Sequence, residues 1–461
     1  MDILNLNATI NLFSPDAIGD TLNFLGVVVQ WIVTWLPWVG VGIILFTLIL
    51  KTITLPLDIF SKASMRKNSL KMEKMRPQLE KLQKQYQNDQ QTYNAKMMEL
   101  YKKNGYSMLG ACLPSLVTIV IFFIVMGAFS DYSQFANLDV YREMTRQYNA
   151  AVLQYAPEIE SANLAGVRYE EGQSSDAGVI PYTRIETYTS EDSLIEIVVK
   201  KSLELDKAGL TAEELDGYDW SNTDAEQGPV VKAESTEYNV KAEETLASGD
   251  AAVQAAVEKA RANAGISGDA NVAAEAMRII GRAAAAEAYE EFDAGFLWVK
   301  NIWLPDTSYQ HPLQQEQGID ADHYNEITYD LTAEKDAANG YYILIVISIG
   351  TMFLSQFIIS RSQKAQNELQ TADGRGKKTQ NMMMVIMPLM FGVFSFFYSA
   401  AFSIYMIVSN LYSIVSTLLI NLVIDARFKK KEELEIQAKY NQRIPQSARK
   451  TGNERKGGKT K

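Results

Sequence analysis

Four stretches of this chain carry no Asp, Glu, Lys or Arg: residues 21–50, 109–129, 341–360 and the 44 residues of 381–424. Uncharged apolar runs of about 18 residues or more are long enough to bridge a bilayer's ~30 Å hydrocarbon core as helices. In lipid every backbone N–H and C=O must be paired internally, so such runs leave few folds open. The averages conceal this, since 461 residues, 47% apolar and 21% charged with a net charge of −11, describe an ordinary acidic globular protein. The fold class that follows is an all-α polytopic membrane protein with a large polar insert.

Residues 1–20 contain no Lys or Arg, so the basic start of a cleavable signal peptide is missing. Residues 21–36 include Asn23 and Gln30 and stop at Pro37; as a helix they reach only about 24 Å. Trp31, Trp35 and Trp38 favour the bilayer–water boundary. Segment 1–38 therefore reads as an extracytoplasmic N-terminus with a helix lying in the interface. Spans are expected at 39–60, 108–130 and 341–360. The last uncharged run is too long for one crossing, and the small-residue turn Tyr398–Ser403 divides it into spans at 382–399 and 403–424, five in all.

Charge tests the count. With five spans, 61–106, 361–380 and the tail 425–461 share one side and hold 11, 5 and 12 Lys/Arg, whereas 1–20 holds none. Basic loops stay cytoplasmic, which puts the N-terminus outside and the tail inside. The loop 131–340 has 40 acidic and 15 basic residues, an acidic extracytoplasmic domain. Within it, the Ala-rich 243–292 predicts two short helices around Gly265–Gly268. Residues 165–242, richer in Tyr, Val and Thr, predict mixed or β structure.

Composition narrows the chemistry. The single Cys112, inside an apolar run, excludes an internal disulfide framework and a multi-Cys zinc site, and reads as a small buried hydrophobe. His311 and His323 both lie in the polar loop, so a Ser/His intramembrane protease or an HExxH metalloprotease lacks its base or ligands. No GxxxxGK[ST] phosphate loop occurs. No catalytic group, metal or cofactor is expected.

Lys51 is the informative exception. It lies in GIILFTLILKTITLPLDIF, nine or ten residues from either end of the first span, its Cα some ~13–15 Å from each boundary. A central Lys costs ~2.5–3.5 kcal/mol on insertion scales and cannot snorkel that far. The other spans offer no Asp or Glu in their cores. Thr47, Lys51, Thr54 and Asp58 follow at intervals of 4, 3 and 4, hence on one helical face. Pairing with Asp58 or carbonyls would satisfy the charge locally; a water-filled groove entered from the cytoplasm fits the polar face better. Ser115 and Thr118 in the second span, Gln356 in the third and Ser409, Asn410, Ser413 and Ser416 in the fifth are candidate walls, although such residues often only join helices.

Residues 61–106 predict a helical hairpin. Met65, Met72, Met75, Leu79, Leu82 and Tyr86 trace an a/d seam, and Tyr93, Met97 and Leu100 resume after a polar break; Pro77 should kink the first helix or start a new one. A self-packed pair explains the seam. The methionines, Met98 included, also suit contact with varied apolar clients. The tail, basic but without interleaved aromatics, suits anionic lipid headgroups or ribosomal RNA, or serves only as a topology anchor.

KTITLPLDIFSKASMRKNSLKMEKMRPQLEKLQKQY, ELYKKNGYSMLGACLPSLVTIVIFF, FLWVKNIWLPDTSYQHPL and MMMVIMPLMFGVFSFFYSAAFSIYMIVSNLYSIVST resemble, in order, the YidC/Oxa/Alb family of membrane-protein insertases, over about 1–138 and 294–425. The resemblance implies five core spans, a cytoplasmic hairpin after the first, and a hydrophilic groove holding a basic residue at Lys51, usually Arg in the family. It also implies nascent membrane proteins as clients, the ribosome and the Sec translocon as candidate partners, and function as a monomer. Residues 139–293 have no counterpart in short members. Two other readings stand beside it: an anion or solute channel using Lys51, and a membrane-anchored extracellular binding protein built on the insert. The apolar outer half of the first span, VGVGIILF, argues for a dead-end groove over a channel.

Overall fold

A computed structural model describes residues 8–19, 22–36, 38–86, 89–106, 108–160, 163–173, 179–362 and 375–443. Strand β1 (Ala8–Ile10) precedes helices α1 (Phe24–Val33), α2 (Val39–Gln85), α3 (Gln90–Lys103) and α4 (Met108–Leu153). Then come β2 (Leu164–Glu171), β3 (Ile180–Tyr188), β4 (Ile195–Leu205), α5 (Ala212–Asp216) and β5 (Val231–Val240). Helices α6 (Ala242–Leu246), α7 (Ala251–Ala262), α8 (Asp269–Glu290), α9 (Ala321–Ile327) and α10 (Thr332–Asp336) lead to α11 (Ile343–Ser362), α12 (Arg375–Ser395) and α13 (Ala400–Arg443). The chain divides into two compact units: Met1–Thr21, Gln134–Asp293 and Leu313–Ala337 form one, and Leu22–Ser133, Ala294–Pro312 and Ala338–Lys461 the other.

The first unit is a sheet with helices. Its strands run antiparallel in the order β1-β5-β4-β3-β2, with Ile195 opposite Val240 and Tyr182 opposite Leu203. On β4, Ile195, Ile197, Val199, Leu203 and Leu205 alternate onto one buried face. The strand-forming composition expected in 165–242 thus becomes β2–β5, closed by β1 from the distant N-terminus. The Ala-rich segment forms α7 and α8, broken across 263–268 where Gly268 has φ +86°. Small buried residues let helices approach closely: a Cβ on Gly281 would fall 2.7 Å from the Tyr148 ring. Beside it, Arg282 bonds both Glu326 oxygens at 2.9 and 2.8 Å and Glu275 at 2.7 Å, 4.1 Å from the Tyr329 ring. This buried charge is fully partnered, which is the condition for tolerating it.

The second unit is helical. Helix α13 packs on α2 and on α11, α12 on α11, and α1 on α2. Phe129 of α4 meets Phe46 at 5.4 Å and Tyr405 at 5.7 Å, and Phe122 meets Phe391 at 4.7 Å. One end of the bundle is closed by 294–312, whose Ile302, Trp303 and Leu304 are buried. Helix termini leave unpaired N–H groups; here Ala400 and Ala401 donate theirs to Leu304 and Ile302 carbonyls, 2.8 Å each. Asp306, fully buried, accepts from Tyr341 and Leu344 at the start of α11. A Cβ on Gly340 would fall 1.8 Å from Asp306 Oδ1, so only glycine fits there. The Asn339 side-chain amide clasps the Asn301 backbone, accepting from its N–H at 2.8 Å and donating to its carbonyl at 2.9 Å.

Among the described residues, four helices are long and apolar enough to cross a membrane: Val39–Gln85, Ile119–Leu153, Ile343–Arg361 and Ala400–Val423. The fourth of the five expected crossings, 382–399, corresponds to α12, whose apolar stretch Met384–Ser395 is shorter. Ten residues make α1 about 15 Å long, too short to span. Two boundaries differ from expectation. Helix α4 does not stop near 130, because Leu138, Tyr141, Met144, Tyr148 and Val152 continue a buried helical stripe. Segment 294–312, expected in the polar domain, belongs to the helical unit. Helix α2 runs on through Pro56 and Pro77, so no new helix starts at Pro77.

Candidate functional site

Helix α2 carries the polar line that the sequence marks out. Thr47 is fully buried and donates to the Ile43 carbonyl at 2.7 Å; Thr54 donates to the Lys51 carbonyl at 3.2 Å. Both hydroxyls are thus satisfied on their own helix, the common arrangement for Thr in spans. Lys51 is half-buried, and no ion pair to it exists among the described residues. Asp58 lies near enough to act electrostatically on it and also on Lys62, one further turn along.

Lys62 escaped sequence reasoning. Its Nζ donates to Thr417 Oγ1 of α13 at 2.8 Å. The available signal was its spacing, which extends Thr47–Lys51–Thr54–Asp58 by four residues on the same face. The polar candidates of α13 lie near this contact: the Ser413 carbonyl accepts from Thr417 at 2.6 Å and from Ser416 at 3.2 Å, while Ser409 is buried. Asn410 reaches the other neighbour, donating to Thr351 Oγ1 of α11 at 3.4 Å. Gln356, on α11, is half-buried. Ser115 and Thr118 lie on α4, but their side chains, like that of Met65, are outside the described residues. The structure thus joins α2, α13 and α11 through Lys62–Thr417 and Asn410–Thr351, with no direct bond from Lys51 to the α13 hydroxyls among the described residues.

In the hairpin, Met72 and Met75 are fully buried with Leu79 against Tyr101, and Met97, Leu100 and Tyr106 pack beside them. These two methionines are therefore packing residues and not open client contacts in this conformation. Met98 alone of the candidates has a largely open side chain among the described residues, 42% exposed. Helix α3 begins at Asp89, which accepts from the Thr92 hydroxyl and its N–H, holding the Asp89 carboxyl below its ordinary range. The loop 363–374 and the tail from 444 on fall outside the described residues. No group of His, Cys, Asp or Glu able to hold a metal occurs among the described residues.

Sequence comparison adds the ancestry. Residues 31–158 and 282–427, more than half of the chain, match the family described as "60Kd inner membrane protein". Proteins named "Membrane protein insertase YidC" are similar over shorter stretches. The one from Fusobacterium nucleatum is 42% identical over 88 residues, 19% of this chain and 41% of that protein. Those of Treponema denticola and Geobacter sulfurreducens are 34% and 39% identical over 100 and 89 residues, 22% and 19% of this chain and 16% of each relative. The aligned parts thus span well under two thirds of these relatives. No solved structure matches. With both matched segments falling on the helical bundle and the ends of the polar domain, the chain belongs to the 60Kd inner membrane protein family.

Proposed function

We propose that this chain is a membrane-protein insertase that moves client transmembrane segments and their short polar flanks into the bilayer through a groove open to the cytoplasm and centred on Lys51. The observation that carries the reading is one polar face, Thr47 to Lys62, on an otherwise apolar spanning helix, with a positive charge at its middle and no ion pair to it among the described residues. Such a charge is tolerable only when hydrated or paired, and a wet groove shortens the dry distance that a client's polar flank must cross. An apolar client segment arrives by the hairpin, where Met98 offers an adaptable contact. Lys51 attracts acidic or carbonyl groups of the flank. Release follows from burial of the client's own apolar residues, ~0.8 kcal/mol per CH₂, without nucleotide. Five crossings, an outside N-terminus and an inside basic tail that meets anionic lipid or the ribosome complete the scheme. The closed end built by Ile302, Trp303 and Leu304 favours a dead-end groove over a conducting pore.

The test is insertion of a single-span client into proteoliposomes containing the full chain. A hydrogen bond to a charged group contributes ~1.5–3 kcal/mol, so Lys51→Ala should slow insertion about ten- to a hundredfold, while Lys51→Arg, which keeps the charge, stays near wild type. Undiminished insertion by Lys51→Ala would remove the groove's centre.

A further inference from the structure

The Lys62–Thr417 contact has an asymmetry that the groove reading leaves unused. The single proton of Thr417 goes to the Ser413 carbonyl at 2.6 Å, so towards Lys62 the hydroxyl can only accept. The ammonium spends one of its three N–H donors on this neutral oxygen. Lys62 makes no ion pair among the described residues. Thr417 is almost completely buried, yet it holds this cation at the turn of α2 that follows Asp58. For an ammonium a carboxylate is a stronger partner than a hydroxyl, because it adds attraction between opposite full charges to the hydrogen bond. The contact is also a polar bridge between the two helices, α2 and α13, that carry most of the candidate groove.

We propose that Lys62 is a second cation station, nearer the cytoplasm than Lys51, whose ammonium rests on Thr417 and transfers to a carboxylate of the client's polar flank, releasing the α2–α13 bridge as that flank enters. The proposal rests on the insertase reading and adds a specificity to it: acidic flanks open the contact and neutral flanks do not. Lys62 then receives acidic groups first and Lys51 second, with Asp58 between them limiting how long either cation holds its guest.

The full chain in proteoliposomes decides, with two single-span clients whose flanks differ only in carrying two Asp or two Asn. The readout is the ratio of Asp-client to Asn-client insertion, scored by protease protection of the flank. Lys62→Gln keeps an N–H donor for Thr417 but no charge, and should lower this ratio about tenfold, the least that a bond to a charged group supplies. Lys62→Arg should restore it. Thr417→Val, which removes the competing acceptor, should hold or raise it. An unchanged ratio in Lys62→Gln, whether both clients fall together or neither does, would reduce the contact to a helix bridge and overturn the proposal. Should Lys62→Gln fail to fold, Thr417→Val decides alone, since a ratio falling below wild type also overturns it. Lys51→Gln run alongside separates the failures: activity lost there with Lys62→Gln silent sinks only the second station, whereas silence in both sinks the groove.

Discussion

At the residue scale, His323 shows how a polar side chain of no evident role becomes legible only in three dimensions. The sequence places it in the acidic loop and nothing more. In the fold its Nε2 lies 2.7 Å from Thr145 Oγ1, whose own proton is given to the Tyr141 carbonyl at 2.6 Å. The ring must therefore donate, which fixes the Nε2–H tautomer if it is neutral. It stacks flat on Phe13 at 4.3 Å, and burial pushes its pKa below the ordinary 6.5, with Asp320 pulling partly back. A histidine that binds its proton less readily when folded contributes stability above pH 6.5 and loses it as pH falls through the depressed folded value. Half-buried Glu316, whose pKa is pushed up by desolvation, works in the opposite sense. Comparison with His323→Gln therefore isolates the histidine. Thermal unfolding of the β-sheet unit within the full chain should fall more steeply between pH 7 and 5 for wild type than for His323→Gln, and parallel slopes would refute it. Lys51, by contrast, was visible in sequence because any charge stands out in an apolar run. Lys62 was not, because it begins a segment with 11 Lys/Arg and its partner is 355 residues away.

At the element scale, periodicity carried the hairpin a long way. The seam from Met72 to Tyr86 is readable because a and d positions repeat on one helical face. Which methionines turn inward depends on the returning helix, and it is Tyr101, on α3, that covers Met72 and Met75. Of the kink or restart expected at Pro77, the restart does not occur: both Pro56 and Pro77 sit inside α2, and their cost of ~3 kcal/mol each is outweighed by the packing of a 47-residue helix on its neighbours. Strands showed the same limit. The Tyr-, Val- and Thr-rich composition of 165–242 points to mixed or β structure, but pairing of Ala8–Ile10 with β5 is set by contacts more than 200 residues apart. The two kinds of methionine then separate by experiment. Met72→Ala leaves a cavity against Tyr101 and should cost the hairpin ~2–5 kcal/mol, read as much faster trypsin cleavage among its lysines and arginines. Met98→Ala, at an exposed position, should leave cleavage unchanged and weaken crosslinking to an arriving client. Equal cleavage of both variants would show that Met72 is not part of a packed seam.

At the scale of the whole molecule, the −11 of the chain is the sum of two opposed bodies, a loop of −25 and a remainder of +14. That segregation is the physical basis for assigning sides, because cytoplasmic retention of Lys/Arg acts on short segments next to spans and not on net charge. Its consequence can be put as parity. The four long apolar helices alone would return the tail to the side on which the chain began; counting α12 as well puts the ends on opposite sides. Since α12 has only Met384–Ser395 as its apolar stretch, a crossing there would need Phe397, 74% exposed, and Tyr398 to reach the far interface. Replacing native Cys112 by Ser leaves a cysteine-free chain, into which single cysteines can be placed at Ser267, Phe397 and Gln437, all exposed. In intact cells a membrane-impermeant maleimide should label Ser267→Cys and Phe397→Cys and spare Gln437→Cys until the membrane is opened. Labelling of Gln437→Cys from outside would mean that α12 does not cross, that the basic tail lies opposite the hairpin, and that the groove scheme has lost its cytoplasmic mouth.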